Sequence, residues 1–308
     1  MGLLKKHKQN KNSVGLGFHV DGLSMVAIDR SDADPRILEC NFSAQDPAEP
    51  PAESLFQAVR RLGLKGAQVN AVLGPSVYSL FQVEAPEVEQ EELASAIRWR
   101  VKDLLDFHID DAVIDLFDMP TSERRSGPRM IYVVVSKRTF IQRCVDQMES
   151  LGLDISAIDI TELALRNVIA MNRPSDGFHA VLYLPPHYGM IQIVRGDTVY
   201  LSRRIEISGK DLEEQGGFGL EEQLETLVLE LQRSLDYHES HFGMGPVSGI
   251  SIIAPESRKT QLRELADQGL AAPVELLDIS SSLDGIQDLD PAILYRTLPA
   301  IGAALRSD

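Results

Sequence analysis

The sequence repeats one order of secondary-structure elements, and this duplication leaves few folds open to the chain. The first copy opens with "SVGLGFHVDGLSMVAI" (residues 13–28), which predicts a strand, a tight Gly-rich turn and a second strand. A third strand is predicted from "RILECNFSA" (residues 36–44). The second copy opens with "HAVLYLPPHYGMIQIVRGDTVYLSRRIEI" (residues 179–207), which again predicts three strands joined by two turns.

After each three-stranded opening, predicted helices and strands alternate. In the first half these are a helix at 52–62, a strand at 67–75, a helix at 138–153, a strand at 154–160 and a helix at 161–171. In the second half they are a helix at 221–242, a strand at 247–255, a helix at 257–270, a strand at 272–280 and a closing helix at 290–305 that contains Pro299. The long helix of the second half has its apolar residues at 224, 227, 228, 231 and 235, which is the spacing of one buried face.

This duplicated β-β-β-α-β-α-β-α order predicts an α/β protein with the ribonuclease H-like or actin-like two-lobe fold. We expect a basic flexible arm at 1–12, a first lobe at 13–171, a linker at 172–177 and a second lobe with the closing helix at 178–308. In folds of this type a nucleotide lies in the cleft between the lobes, held by the two hairpin turns.

The first lobe carries a predicted small inserted subdomain at about 84–128. Its helix has acidic residues in the first turn, which favours the positive end of the helix dipole. Leu93, Ile97, Val101 and Leu104 form one apolar stripe along this helix. Trp99 lies on roughly the opposite side, so it either packs against a second element or faces a partner. A β-branched run at 129–137 predicts a strand buried on both faces.

Charge and composition exclude several classes of function. The chain of 308 residues has a net charge of −16, and the first eleven residues carry four of its lysines and no acid. The rest of the chain therefore has 26 basic against 46 acidic residues, which disfavours nucleic-acid binding. No apolar run of membrane-spanning length and no signal-peptide pattern occurs, and the two cysteines predict no disulfide framework. We expect a cytoplasmic protein whose basic arm either stays disordered or touches an anionic membrane weakly.

Three segments resemble the PilM-like family of type IV pilus assembly proteins. They are "PEVEQEELASAIRWRVKDLLDFHIDDAVIDL", "VVVSKRTFIQRCVDQMESLGLDISAIDITELALRN" and "LVLELQRSLDYHESHFG". The similarity extends over most of the chain, from about residue 14 to 305. Cytoplasmic domains of the GspL group in type II secretion have the same plan. The resemblance implies an actin-like ATPase fold and a place in a pilus assembly platform at the inner face of the inner membrane.

The resemblance also implies a first phosphate-binding hairpin, which this sequence has lost. Relatives that bind nucleotide carry an Asp, a second Gly and a Lys at positions that fall here on Gly17, His19 and Ser24. In those relatives the small residues let backbone N–H groups approach phosphate, and the acid helps to hold Mg²⁺ through water. Phe18 and His19 are bulky, and we expect them to fill part of the cleft.

Three further nucleotide elements of the family are altered. In the second hairpin Tyr183 replaces the expected Asp and Pro185 the expected Gly, and a proline has no N–H to donate to phosphate. The Gly-Gly-Asp segment appears as "SGKD", which includes Lys210, and the adenosine loop appears as "APES", which includes Pro255. The sequence therefore predicts a pseudo-ATPase, with no catalytic residues, no ATP or Mg²⁺ cofactor and no metal site.

By resemblance, the partner is a PilN-like single-pass membrane protein of the pilus platform. Its N-terminal cytoplasmic peptide is expected in a groove between the main part of the first lobe and the inserted subdomain, near Trp99, Phe107 and Phe140. Other platform proteins are expected partners, and membrane contact is expected to be indirect or through the basic arm. Two alternatives stay open, namely an ATP-binding PilM-like switch in pilus biogenesis or type II secretion, and a filament-forming protein.

The "HESH" segment places His238 and His241 three residues apart on a predicted helix. Two histidines at this spacing can share a metal ion, but the sequence shows no third ligand. A solvated helix end is the expected environment of both side chains.

Overall fold

The structure is a computed structural model of the chain, and it describes residues 12–31, 35–46, 49–120, 128–172, 177–243 and 245–306. Most of the expected basic arm, residues 121–127 of the expected subdomain and most of the expected linker lie outside these residues.

The predicted elements occur in the predicted order along both halves of the chain, and one short helix at 209–214 is additional. The strands are β1 (Asn12–His19), β2 (Gly22–Asp29), β3 (Arg36–Ala44), β4 (Gln68–Leu73), β5 (Tyr78–Glu84), β6 (Ala112–Asp118), β7 (Met130–Lys137), β8 (Asp154–Ile160), β9 (His179–Tyr183), β10 (Gly189–Arg195), β11 (Thr198–Ile205), β12 (Gly249–Ile253) and β13 (Val274–Leu276). The helices are α1 (Glu53–Arg61), α2 (Gln90–Val101), α3 (Arg138–Ser150), α4 (Thr161–Asn172), α5 (Gly209–Glu214), α6 (Gly217–Phe242), α7 (Lys259–Gly269) and α8 (Pro291–Ala304).

Two five-stranded sheets of matching topology form the two lobes. The first has the order β3-β2-β1-β4-β8 and the second the order β11-β10-β9-β12-β13. In each sheet the opening three strands are antiparallel, and the two following strands run parallel to the strand that opened the lobe. The duplication read from the sequence is therefore a duplication of the sheet. The last strand, β13, is much shorter than the predicted strand at 272–280.

The small subdomain is a three-stranded antiparallel sheet of order β5-β7-β6, covered on one face by α2. This sheet includes β5 and β7, so it extends beyond the 84–128 segment at both ends. Leu93, Ile97 and Val101 of the predicted stripe are buried against it, whereas Leu104 is 54% exposed. The reason is that α2 ends at Val101 and a turn of tighter 3₁₀ helix follows, which rotates Leu104 away from the stripe.

The other face of the small sheet packs against both lobes. Leu80 and Val134 join the core of the first lobe. Tyr132 joins a separate cluster with Phe242 at the end of α6 and Tyr200 on β11, both in the second lobe. The predicted burial of β7 on both faces is thus confirmed, and the small sheet bridges the lobes.

Helix α8 returns from the second lobe and lies across the first sheet. Gly15 on β1 permits this approach, because a Cβ there would lie 2.8 Å from the carbonyl carbon of Ala300. Gly302 permits the contact with α4 in the same way, since its Cβ would lie 2.5 Å from the carbonyl carbon of Ala164. A shared apolar cluster that includes Val26, Tyr183 and Ile301 joins the lobes around α8.

Candidate functional site

A cleft between the lobes lies where the two hairpin turns face each other. One pocket of about 190 Å³ is lined by the β1–β2 turn, the β9–β10 turn, Arg204 and Arg296. A second pocket of about 320 Å³ lies deeper in the second lobe, between the ends of β12 and β13 and the start of α8. The first pocket lies between the two hairpin turns, where the sequence predicted the nucleotide of folds of this type.

The sequence predicted that the glycines of the opening segment form the turn, and this prediction is wrong. Gly15 and Gly17 lie inside β1, and the turn consists of Val20 and Asp21. Gly17 pairs with Ser24 across the hairpin, and a Cβ on Gly17 would lie 2.9 Å from Nε2 of His19. The absent side chain leaves room for the 2.8 Å hydrogen bond between His19 Nε2 and Ser24 Oγ. Gly17, His19 and Ser24, the three positions at which the family resemblance predicted phosphate and Mg²⁺ ligands, therefore contact one another.

The two bulky residues of this hairpin have different surroundings. Phe18 is 2% exposed and packs edge-on against Phe140 in the core of the first lobe, so the expectation that it fills the cleft is wrong. In a strand, successive side chains point to opposite faces, and only His19 lines the cleft. Burial lowers the pKa of His19 to about 4, so its imidazole is neutral at pH 7.

The second hairpin is hydrogen-bonded to α8. Tyr183 is fully buried and donates a 3.3 Å hydrogen bond to the carbonyl of Tyr295. Pro299, four residues later, has no N–H for that carbonyl, so the Tyr183 hydroxyl replaces the missing helical donor. Tyr295 in turn donates its hydroxyl proton to the carbonyl of Leu184. The residue at the position of the family's Asp thus supports the proline-containing helix.

The remaining two predicted positions also make local structural contacts. The "SGKD" segment forms the capped start of α5, where Ser208 and Asp211 bond each other's backbone N–H groups at 2.8 and 3.3 Å. Lys210 pairs at the surface with Glu214 at 3.5 Å. Pro255 lines the deeper pocket, and its carbonyl accepts hydrogen bonds from the N–H groups that begin the next helical turn.

The residues of the cleft do not fit Mg-ATP. Asp21 is the acidic residue that lines the pocket between the two turns, and its carboxylate already pairs with Arg296 and His187. Two consecutive prolines, Pro185 and Pro186, stand in the second turn and supply no N–H donors. Among the residues that the structure describes, no group of three or more His, Cys, Asp or Glu side chains is arranged to hold a metal ion.

A contact that the sequence did not predict connects the two hairpin turns directly. His187 Nε2 lies 2.9 Å from Asp21 Oδ2, and Arg296 pairs with the same oxygen. The guanidinium of Arg296 also stacks 3.7 Å from the ring centroid of Phe42, which holds it in place. Asp21 was visible as an acid in the first turn, but no sequence signal points to Arg296 on the closing helix.

A buried carboxyl group lies beneath this cleft. Glu162, in the first turn of α4, is 1% exposed and accepts a hydrogen bond from the Tyr78 hydroxyl. Burial raises the pKa of Glu162, against the effect of that hydrogen bond. Arg204 stacks over the Tyr78 ring at 5.2 Å and donates a 3.3 Å hydrogen bond to its carbonyl. Tyr78 therefore connects the small sheet to the floor of the cleft.

A groove of about 260 Å³ lies at the junction of the small sheet and the first lobe. Phe107, after α2, and Phe140, on α3, both line it, with Asp106 and Lys137 beside them. Lys137 Nζ lies 5.0 Å from the centroid of the Phe107 ring. The structure does not place Trp99 in this groove.

Trp99 is on the outer face of α2 and is 70% exposed. Lys102 Nζ lies 5.1 Å from its ring centroid. The sequence left two alternatives for Trp99, packing against a second element or facing a partner. Its exposure excludes packing against a second element among the described residues.

Only one of the two histidines of the "HESH" segment, His241, lies at a partly solvated helix end as expected. His238 is fully buried among Phe178, Tyr200 and Phe242, with ring centroids at 4.6, 6.1 and 5.4 Å. Neither of its ring nitrogens has a hydrogen-bond partner among the residues that the structure describes. His241 stacks on Tyr237 at 4.9 Å instead. The expectation failed for His238 because it continues the buried face of α6, three residues after Leu235 and seven after Leu231.

Comparisons with solved structures show an actin-like ATPase fold. The chain is similar to a structure of the PilM–PilN type IV pilus biogenesis complex, at 18% identity and a TM-score of 0.72 over 96% of this chain and 98% of that one. It is also similar to the cytoplasmic domain of EpsL, an inner-membrane component of the type II secretion system of Vibrio cholerae, at 14% identity and a TM-score of 0.52 over 96% and 95% of the two chains. A protein of unknown function with an actin-like ATPase fold from Bacteroides thetaiotaomicron matches at 10% identity and a TM-score of 0.52, over 91% of this chain and 97% of that one.

No protein-family model and no curated protein matches the sequence. Among the helices in the described part of the chain, none is long and apolar enough to cross a bilayer.

Proposed function

We propose that this protein is a cytoplasmic scaffold of a type IV pilus assembly platform at the inner face of the inner membrane. It binds the N-terminal cytoplasmic peptide of a PilN-like single-pass membrane protein. The proposal is supported by the fold shared with a PilM–PilN complex over nearly the whole chain. The finer assignment is to an MSHA-type pilus, in the role of the MshI protein, and it rests on the three sequence segments that resemble the family.

The observation that carries the proposal is the groove at the junction of the small sheet and the first lobe. Two aromatic residues that lie 33 positions apart, Phe107 and Phe140, line it together. Aromatic side chains that stay partly accessible in a concave surface are typical anchors for a peptide.

The chemistry of the groove favours an extended peptide with apolar side chains. Phe107 and Phe140 supply apolar surface, while Lys137 and Asp106 can bond its backbone or termini. β5, which contributes Tyr78 and Ser79, is an edge strand in the sheet formed by the described residues. An edge strand presents backbone groups with which an extended peptide can pair.

The test is capture of a synthetic peptide that carries the N-terminal cytoplasmic segment of the PilN-like protein from the same genome. We expect Phe107→Ala to weaken its binding by roughly 10-fold or more, as for aromatic anchors that become buried when a partner binds. Trp99→Ala is the matched control, since it removes an exposed aromatic ring outside the groove and should leave the affinity unchanged. Equal binding by the wild type and Phe107→Ala would refute the location of the site.

We further propose that the protein does not hydrolyse ATP. The alternative, an ATP-dependent switch in pilus biogenesis or type II secretion, requires tight binding of Mg-ATP to the folded state. Ligand at 100 times its Kd would stabilise the fold by about 2.7 kcal/mol. We expect no rise in the melting temperature at millimolar Mg-ATP, and a clear rise would favour the alternative.

A further inference from the structure

Two side chains from separate elements, His187 and Arg296, both contact the Oδ2 atom of Asp21 in the cleft. Asp21 comes from the β1–β2 turn of the first lobe, His187 from the β9–β10 turn of the second, and Arg296 from α8. Asp21 and His187 belong to different lobes, so their contact is lost when the two turns move apart, whereas Arg296 lies on α8, which packs across the first sheet.

The surroundings keep Asp21 charged. Burial acts to raise the pKa of Asp21, but its hydrogen bonds with His187 and Arg296 outweigh burial and lower the pKa below its usual value. Arg204 and His19 line the same pocket, and His19 is neutral at pH 7 because burial lowers its pKa to about 4. The anion in this pocket is therefore supplied by the chain itself.

The position of this anion is informative. In a fold of two lobes with a nucleotide between paired hairpin turns, the ligand's phosphates provide the negative charge that both turns bind. Here one turn provides the negative charge, and the opposite turn and α8 provide its partners. The Asp21 carboxylate occupies the place between the turns.

We propose that the end of the cleft is an oxyanion site filled by the Asp21 carboxylate, which holds the lobes closed without any ligand. The proposal does not depend on peptide binding. It implies that a small carboxylate or oxyanion can enter this site once the Asp21 side chain is removed.

Hydrogen–deuterium exchange of the purified full chain measures the opening of the two turns. We expect Asp21→Asn, which keeps the shape but removes the charge, to speed exchange at 19–22 and 187–189 by roughly 10-fold or more, as for loss of a charged hydrogen bond. The control is Asp267→Asn on the exposed side of α7, which should not change exchange at either turn. Unchanged exchange in Asp21→Asn, or acceleration spread evenly over both lobes, would overturn the proposal.

A rescue experiment tests the oxyanion site separately. In Asp21→Ala, sodium formate should slow exchange at both turns towards the wild-type rate, whereas sodium chloride at the same ionic strength should not. Formate should have no effect on the wild type, because the site is already filled. If formate fails to slow exchange in Asp21→Ala, or if chloride slows it equally, the site does not bind carboxylates and the proposal is wrong.

Discussion

The contact between α8 and α4 makes a sharp prediction about Gly302. An added Cβ would lie 2.5 Å from the carbonyl carbon of Ala164, and nearer still to its oxygen. Carbon atoms in favourable contact are about 3.5 Å apart, so the helices would have to separate by roughly 1 Å. Because both sides of this contact are backbone, no change of rotamer can relieve it.

We expect Gly302→Ala to lower the free energy of unfolding by about 2 kcal/mol. Overpacking at a rigid contact costs about 3 kcal/mol, the upper part of the usual range, and alanine recovers about 1 kcal/mol through its better helix propensity. Urea denaturation followed by circular dichroism measures the difference as a lower midpoint with an unchanged slope.

The matched control is Gly219→Ala in the first turn of α6. A Cβ there would meet only the end of the Gln215 side chain, at 3.0 Å, which can move aside. This variant should therefore be as stable as the wild type or more stable, by at most about 1 kcal/mol. If Gly302→Ala and Gly219→Ala have the same midpoint, the close approach of α8 to α4 described above is incorrect.

Two further predictions concern buried polar groups. Burial lowers the pKa of His238, so the unfolded chain binds a proton at His238 more readily than the folded chain, and stability should fall as the pH drops below about 6.5. In denaturation experiments, His238→Leu should make stability less dependent on pH between about 5 and 7. An unchanged pH dependence would contradict the burial of a neutral His238. Tyr78→Phe removes the hydroxyl that donates to buried Glu162 and should destabilise the protein by about 1–3 kcal/mol. The control, Tyr237→Phe at an exposed position, should change stability by less than about 0.5 kcal/mol. Equal stabilities of these two variants would argue against the hydrogen bond between Tyr78 and Glu162.

The order of elements could be predicted from the sequence because periodicity is a local property. The apolar spacing of α6, the β-branched run of β7 and the two three-stranded openings all depend on neighbouring residues, and the structure confirms them. The end of α2 was harder to place, because a change from α-helix to 3₁₀ helix at Lys102 alters which side Leu104 faces without a proline or glycine to mark it.

The roles of single residues at the site could be predicted only in part. Gly15 suggested a turn because its real requirement, the approach of α8 from the other end of the chain, is not visible nearby in the sequence. The pairing of Asp21 with Arg296 was missed for the same reason. The family resemblance supplied the long-range information that put Phe107, Phe140 and Trp99 near one groove. In the structure Phe107 and Phe140 line the same groove and Trp99 does not, and their role in binding a peptide stays a prediction.

The small sheet has a consequence for how the two halves of the molecule communicate. Tyr132 packs with Phe242 of the second lobe, while the other end of the same sheet forms the groove with Phe140 of the first. A rotation between the lobes that displaced this contact would therefore also move one wall of the groove. Two equilibria that share a contact are thermodynamically linked, and the linkage is reciprocal. An occupant that fits the groove better at one lobe angle would favour that angle, and stabilising that angle would in turn raise the affinity of the occupant.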